Sequence, residues 1–314
     1  MRIGIDIMGG DYSPGSAIKG SFLAFKELPE DKQIVFFGNQ EIIEEYCHEN
    51  DLDSHAFEII HSPHSLEMGA HPIKSLTKYP EASIFMGQKY LKKGIIDGFC
   101  SAGNTGAMLV GAMQIITPIP GVIRPAISAH VPNNIGTDTV LLDVGLNPDA
   151  RPDVLYQYGV IGSLYAELVN GIKDPSVSLL NIGAEEEKGN LVARSTYQLM
   201  AESEDFNFRG NFEANDLFVK SITDVLVCDG FVGNIVLKQA EAFYRLVSGK
   251  KICDGYFEMF NFENFGGTPV LGVQAPLIIG HGISNDIAIK NMILQTVKVV
   301  ESGLVDNIKE SLNK

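Results

Sequence analysis

Positive charge is the scarce commodity in this sequence: 24 Lys and Arg stand against 39 Asp and Glu across 314 residues, a formal net charge of −15. That balance discourages nonspecific attraction to nucleic acid or anionic lipid, and no nucleic-acid partner is expected. Cysteine is sparse as well. Cys47, Cys100, Cys228 and Cys253 lie far apart without a CxxC pair, which argues against a zinc site or a secreted disulfide framework and fits a reducing compartment. No segment supplies the roughly 18 uninterrupted apolar residues of a membrane-spanning helix. The opening residues Met1-Arg2-Ile3-Gly4-Ile5-Asp6 carry charge within an apolar run and lack a small-residue cleavage pattern. They fit a first strand better than a signal peptide, and a cytoplasmic protein is expected. Three familiar catalytic signatures are also missing: a GxSxG nucleophile elbow, an HExxH metal motif, and a GxGxxG after the first strand.

What is present is an ordinary globular composition, 45% hydrophobic and 20% charged, with ample material for a large core. Short apolar runs at Arg2 to Ile7, Ile34 to Phe37, Phe57 to Ile60, Ile95 to Cys100, Thr139 to Val144, Val177 to Ile182 and Asp224 to Cys228 alternate with helix-length amphipathic stretches. Runs such as Val140-Leu141-Leu142 are apolar on both faces, as parallel strands covered by helices require. Ser13-Pro14 offers an N-cap and first helical residue, with Ile18, Phe22 and Phe25 recurring on one helical face. Further helices are expected near 39–49, 80–93, 105–116, 153–170, 185–202, 232–248 and 285–301. The fold class that follows is α/β, an open three-layer α/β/α sandwich around a mainly parallel sheet. With no repeat or linker in view, residues 1–314 read as a single α/β/α domain with room for a smaller inserted lobe.

In such sheets ligands bind beyond the carboxyl ends of the strands, and four loops there carry the candidate chemistry. In Asp6-Ile7-Met8-Gly9-Gly10-Asp11 the glycines let the backbone approach an anion, or simply make a tight turn. Ser101-Ala102-Gly103-Asn104-Thr105 offers amides and neutral side chains to a phosphate, or a helix cap. In Asn181 to Gly189, Glu185, Glu186 and Glu187 precede Lys188, whose ammonium either attracts phosphate or a developing oxyanion or forms a surface ion pair. In Asp229-Gly230-Phe231-Val232-Gly233-Asn234, Asp229 can orient a donor or accept a proton and Asn234 can donate to a carbonyl oxygen, unless both only tie down the turn. Cys100 and Cys228 each end an apolar strand, where packing outweighs nucleophilic use. His281, in Gly280-His281-Gly282, serves either as a loop hydrogen-bonder or as an acid or base.

Taken in order, Arg2 to Asp11, Ser101 to Ala107, Arg124-Pro125-Ala126, Leu142-Asp143-Val144-Gly145, Asn181 to Gly189, Asp224 to Lys238, Gly266 to Gly272 and His281 to Ser284 make the chain resemble the PlsX family of phosphate acyltransferases over nearly its whole length. The resemblance implies a fold related to phosphotransacetylases and isopropylmalate-type dehydrogenases, no cofactor, and a homodimer. It implies transfer of a fatty acyl group from acyl carrier protein to inorganic phosphate. The acyl phosphate would supply a downstream membrane glycerol-3-phosphate acyltransferase in phospholipid synthesis. The sequence departs from the family at Met68 to Lys78, where relatives carry an acidic residue and a lysine before the proline. It departs at Leu146, which replaces an alanine, and in a short stretch between Lys238 and Gly266, where relatives have a helical excursion that contributes to peripheral membrane docking.

Under this reading Gly9, Gly10, Asp11, Ser101, Gly103, Asn104 and Thr105 are expected to hold phosphate, Lys188 to offset its charge, and Asn234 to face the thioester carbonyl. Asp229 and His281 complete the expected catalytic set, and no metal is expected. An acidic carrier would need a local basic face, for which Lys238, Arg245, Lys250 and Lys251 are candidates. The aromatic run from Tyr256 to Phe265 is expected to pack in the core or at a dimer interface. The alternatives are an acetyl-CoA:phosphate acetyltransferase, a nicotinamide-dependent decarboxylating dehydrogenase without the clustered aspartates it needs, and a non-catalytic acyl-carrier-binding protein.

Overall fold

A computed structural model describes residues 1–133, 137–219, 223–252 and 255–312. Cys253 lies outside the described residues. The chain folds into two compact units, Met1–Ile119 with Phe262–Glu301, and Pro120–Asn261 with the residues from Ser302 onward.

The first unit opens with β1 (Arg2–Asp6), α1 (Gly15–Glu27), β2 (Gln33–Gly38), α2 (Gln40–Glu49), β3 (Glu58–His61), α3 (Pro72–Lys78), α4 (Ser83–Lys92), β4 (Gly98–Ser101) and α5 (Thr105–Gly111), which runs on as a π-helical stretch over Ala112–Ile116. The second unit holds β5 (Ala126–Pro132), β6 (Asp138–Leu142), α6 (Pro152–Leu168), β7 (Ser176–Asn181), α7 (Leu191–Ala201), β8 (Asn207–Glu213), β9 (Val225–Val227), α8 (Gly230–Gly249) and α9 (Gly255–Glu258). The chain then returns to the first unit for β10 (Thr268–Leu271), β11 (Leu277–Ile279) and α10 (Asp286–Glu301), and ends in the second with α11 (Leu304–Leu312).

Strand order in the first unit is β3-β2-β1-β4-β11-β10, all parallel except the β10–β11 pair. In the second it is β5-β6-β9-β7-β8, antiparallel only between β5 and β6. Alternation along β4 shows how helices cover both faces of the first sheet. A Cβ at Gly98 would meet Thr296 of α10 at 2.7 Å, whereas the next residue, Phe99, faces α4, where a Cβ at Gly87 would meet its ring at 1.9 Å. Val35, Phe37, Phe85, Phe99, Met108 and Ile279 join one buried cluster there. In the second unit α6 lies close on the sheet through Gly162, where a Cβ would meet Val225 of β9 at 2.5 Å.

Two boundaries differ from expectation for local reasons. Helix α1 starts at Gly15 with Pro14 at the cap position and no side-chain cap, so Ser13 does not serve as N-cap. Helix α7 starts at Leu191, not near 185. Gly189 takes the left-handed backbone at φ +89°, and the Asn190 side chain caps the helix by accepting from the Ala193 amide at 2.9 Å. Glu185, Glu186 and Glu187 therefore sit in the preceding loop, not at a helix entrance.

Candidate active site

In the first unit three loops meet at the carboxyl ends of β1, β4 and β11. Asp6, the last residue of β1, is 3% exposed. Its Oδ1 accepts the Met8 amide at 3.1 Å, and its Oδ2 accepts the Ser101 hydroxyl at 2.8 Å. Burial pushes this carboxyl above its usual range, opposed by hydrogen bonds from Ser83, Ser101 and Met8. The Ser101 oxygen in turn accepts the Gly103 amide at 2.9 Å. Gly9 lies so near that a Cβ there would come within 2.8 Å of the Gly103 nitrogen, so only glycine lets the two loops touch. The Asp11 amide donates to Gly282 O at 2.7 Å and the Gly280 amide to Ser101 O at 2.8 Å, which ties in the third loop.

Asn104 caps α5, its Oδ1 accepting the Ala107 amide at 2.9 Å, while its Nδ2 donates to the carbonyls of Met68 (2.8 Å), Ala70 (2.9 Å) and Glu67 (3.2 Å). The side chains of Ser101 and Asn104 and the Gly103 amide thus spend their polar groups inside the protein. Buried and hydrogen-bonded, they brace the loops, and their contact with phosphate stays an expectation from the sequence. Within the described residues no hydrogen bond takes up the amides of Gly9, Gly10 or Thr105, and Asp11 and Thr105 are exposed. These are the groups left for an anion. His281 is exposed, with its Nδ1 accepting the Ile283 amide at 3.4 Å and its carbonyl accepting the Ser284 hydroxyl at 2.6 Å.

The second unit repeats the device at the end of β6. Asp143 is fully buried. Its Oδ1 accepts the amides of Ile127 (3.0 Å), Gly145 and Leu146 (both 3.2 Å), and its Oδ2 accepts that of Asn147 (2.6 Å). Asn147 Nδ2 donates to Pro125 O at 2.7 Å and to the Tyr158 hydroxyl at 2.8 Å, and Asn147 O accepts the Gly230 amide at 2.8 Å. Burial, with the Asp143 charge added, raises the Tyr158 hydroxyl above its usual range. This network seats the start of α8. Asp229 caps that helix through Val232 N at 2.8 Å, which gives its carboxylate a structural partner. Asn234 is exposed, and its side-chain amide has no hydrogen-bond partner among the described residues; a Cβ on Gly145 would lie 3.6 Å from its Oδ1.

Lys188 is exposed with its Nζ 3.8 Å from Glu185 Oε2, a loose pair. Its loop is held from behind by Asn181 Nδ2, which donates to Lys188 O at 3.2 Å. On α8, Lys238 pairs with Glu241 at 2.9 Å, while Arg245, Lys250 and Lys251 are exposed. Phe218, Tyr256 and Phe260 pack ring against ring, with centroids 5.6 and 5.4 Å apart for the two contacts of Phe260.

The cysteines near the loops are poor nucleophiles. Cys100 is fully buried and burial pushes its thiol up to about 12, and Cys228, 4% exposed, is also raised by burial. No group of three or more His, Cys, Asp or Glu that could hold a metal occurs among the described residues, and none of the described helices is long and apolar enough to cross a membrane. The organising carboxylates were not singled out from the sequence. Their signal was there: an aspartate closing an apolar strand directly before a glycine loop, in Ile5-Asp6 and again in Leu142-Asp143.

Comparison with known proteins gives the geometry a setting. A family model described as fatty acid synthesis protein matches residues 1–253. The phosphate acyltransferase of Dictyoglomus thermophilum is 38% identical over 333 residues, covering 100% of this chain and 98% of that protein. That of Desulforamulus reducens is 39% identical over 330 residues, covering 99% and 97%. Among solved structures, a phosphotransacetylase from Streptococcus pyogenes superposes with a TM-score of 0.68 at 16% identity over 95% of this chain and 94% of the other. A branched-chain phosphotransacylase from Enterococcus faecalis does so with a TM-score of 0.63 at 13% identity over 96% and 99%. At such identity these two speak for the α/β/α fold alone.

Proposed function

The chain belongs to the fatty acid synthesis protein family, whose curated relatives are phosphate acyltransferases, and from that premise we propose that it transfers a long-chain fatty acyl group from acyl carrier protein to inorganic phosphate. The observation that carries this reading is similarity to those enzymes along the full chain, at 38% identity over 333 residues.

A phosphate oxygen attacks the thioester carbonyl carbon, the carbon–sulfur bond breaks, and acyl phosphate and free carrier thiol leave. Phosphate is a modest nucleophile, so catalysis rests on orientation, offset of charge, and support for the oxyanion. The uncommitted amides of Gly9, Gly10 and Thr105 suit the phosphate. The exposed Lys188 ammonium offers charge compensation, and the unpartnered Asn234 amide can donate to the oxyanion. The leaving sulfur needs little help, since a thiol of ordinary pKa, about 8.5, departs as thiolate; His281 is the candidate proton donor. Buried, neutral Cys100 and Cys228 support direct transfer without an acyl-enzyme.

The same reading includes a homodimer and delivery of the product to a membrane glycerol-3-phosphate acyltransferase for phospholipid synthesis. Helix α8 supports the dimer: it exposes Phe231, Ile235, Phe243 and Leu246 and buries only Gly230, Gly233 and Ala240. Each of these exposed side chains is already about half covered, so burying the rest is worth about 1–1.5 kcal/mol each. The test is thiol release from palmitoyl carrier protein and from acetyl-CoA in competition. Phosphate-dependent release with preference for the carrier supports the reading. Preference for acetyl-CoA would replace it with the acetyltransferase alternative.

A further inference from the structure

We propose that Asp6 is a positioning residue for phosphate, acting through Ser101 on Gly103 and directly on the Met8 amide, so that one buried carboxylate sets the shape of two anion-facing loops. The inference rests on the phosphate reading above and adds to it the group that arranges the amides.

Hydrogen-bond polarity along this chain is fixed by chemistry. A backbone N–H can only donate, so Ser101 must accept from Gly103 at 2.9 Å. The single hydroxyl hydrogen of Ser101 is then left for Asp6 Oδ2 at 2.8 Å, and an ionised carboxylate only accepts. The other oxygen, Oδ1, takes the Met8 amide at 3.1 Å, immediately before Gly9 and Gly10. One carboxylate therefore grips the glycine loop after β1 with one oxygen and the loop after β4 with the other. Contact between the loops is close, for a Cβ at Gly9 would fall 2.6 Å from Asp6 Oδ2 and 2.9 Å from the Gly103 Cα. A shift of either loop moves the other.

At 3% exposure Asp6 does not reach solvent or substrate. Ser101, at 0%, does not either. Their effect on phosphate must travel through the backbone of Gly9, Gly10 and the residues after Gly103. A buried charge is also an expensive way to brace a turn, because ionising it away from water disfavours the fold. The return is a donor-free anchor with a separate accepting oxygen for each loop, which neither an amide nor a hydroxyl offers.

The experiment measures KM for phosphate, KM for the acyl carrier donor, and Tm with and without phosphate, for the full-length protein and for Asp6→Ala, Ser101→Ala and Asp6→Asn. Asp6→Ala should raise the phosphate KM about tenfold or more, the size expected when one buried hydrogen-bonding anchor is lost. Ser101→Ala, a milder change that guards against misfolding of the first variant, should move it in the same direction. In both, the donor KM stays near wild type and the rise in Tm caused by phosphate shrinks. Asp6→Asn, with one accepting oxygen in place of two, should fall between. An unchanged phosphate KM in Asp6→Ala and Ser101→Ala overturns the proposal, as does an equal rise in both KM values with lowered Tm, the mark of a merely structural role. If the wild-type protein gains Tm from phosphate, and loses that gain in both variants, yet forms no acyl phosphate, the transfer reaction fails and the positioning role stands.

Discussion

The Asp143 carboxylate accepts the backbone amide of Asn147 at 2.6 Å, and the same side chain takes the amides of Ile127, Gly145 and Leu146. Replacing it by alanine strands four backbone donors, at about 1–3 kcal/mol for each one left buried without a partner. Asp143→Ala is expected to lose about 3 kcal/mol or more of stability by urea unfolding. A loss under about 1 kcal/mol would mean that water or a local shift satisfies these groups.

Gly233 offers a sharper contrast within one helix. A Cβ there would stand 1.9 Å from the carbonyl oxygen of Asp143, a backbone atom that cannot swing away, whereas nothing lies within 4 Å of a Cβ at Gly249. Gly233→Ala should destabilise by about 1–3 kcal/mol or more through overpacking. Gly249→Ala, at the end of the same helix, should be neutral or stabilising by up to about 1 kcal/mol. Thermal unfolding of the pair reads the difference.

For Lys188 and Asn234 activity and stability should separate. Both are exposed, and the Lys188 ion pair at 3.8 Å is worth about 0–1 kcal/mol at most. Alanine at either position should leave Tm nearly unchanged while turnover falls, by about 10²–10³-fold where an oxyanion donor is lost. An unchanged steady-state rate would remove that residue from the mechanism.

The raised pKa of Asp6 gives a pH signature. Because burial lifts the folded-state value above the unfolded one, this group's contribution to stability is full below the unfolded pKa and is lost as pH rises through the folded one. Cys100 faces Asp6 as a neutral thiol, and Ser83 and Ser101 as hydrogen-bond donors, so no cation offsets the charge among the groups acting on it. Relative to Asp6→Asn, whose side chain does not titrate, wild type should therefore gain stability as pH falls through the folded pKa of Asp6. Unfolding curves across acid to neutral pH measure it. A wild type that loses stability relative to Asp6→Asn on acidification would contradict the assignment.

The βαβ rhythm was legible because apolar runs without alternation, such as Val140 to Leu142, mark strands covered on both faces. The loops at the strand ends were legible for the same reason. Short or polar elements were not: α3 (Pro72–Lys78) has too few turns to show a stripe, and β8 (Asn207–Glu213) reads as Asn-Phe-Arg-Gly-Asn-Phe-Glu, with little to mark a strand. Which side chains in the loops face inward is set by tertiary contacts. Asn104 looks like a phosphate ligand in sequence, yet its amide is claimed by carbonyls 34 to 37 residues earlier in the chain. Asp6 and Asp143 escaped notice because a carboxylate that ends a strand looks like a loop residue until its amide partners are seen.

Transfer to phosphate is tested most directly by incubating the purified protein with palmitoyl carrier protein with and without inorganic phosphate, with hydroxylamine to trap any activated acyl product. Acyl hydroxamate above the enzyme-free rate only when phosphate is present is the predicted result. No phosphate-dependent product, or an enzyme-bound acyl group formed without phosphate, would contradict direct transfer to phosphate.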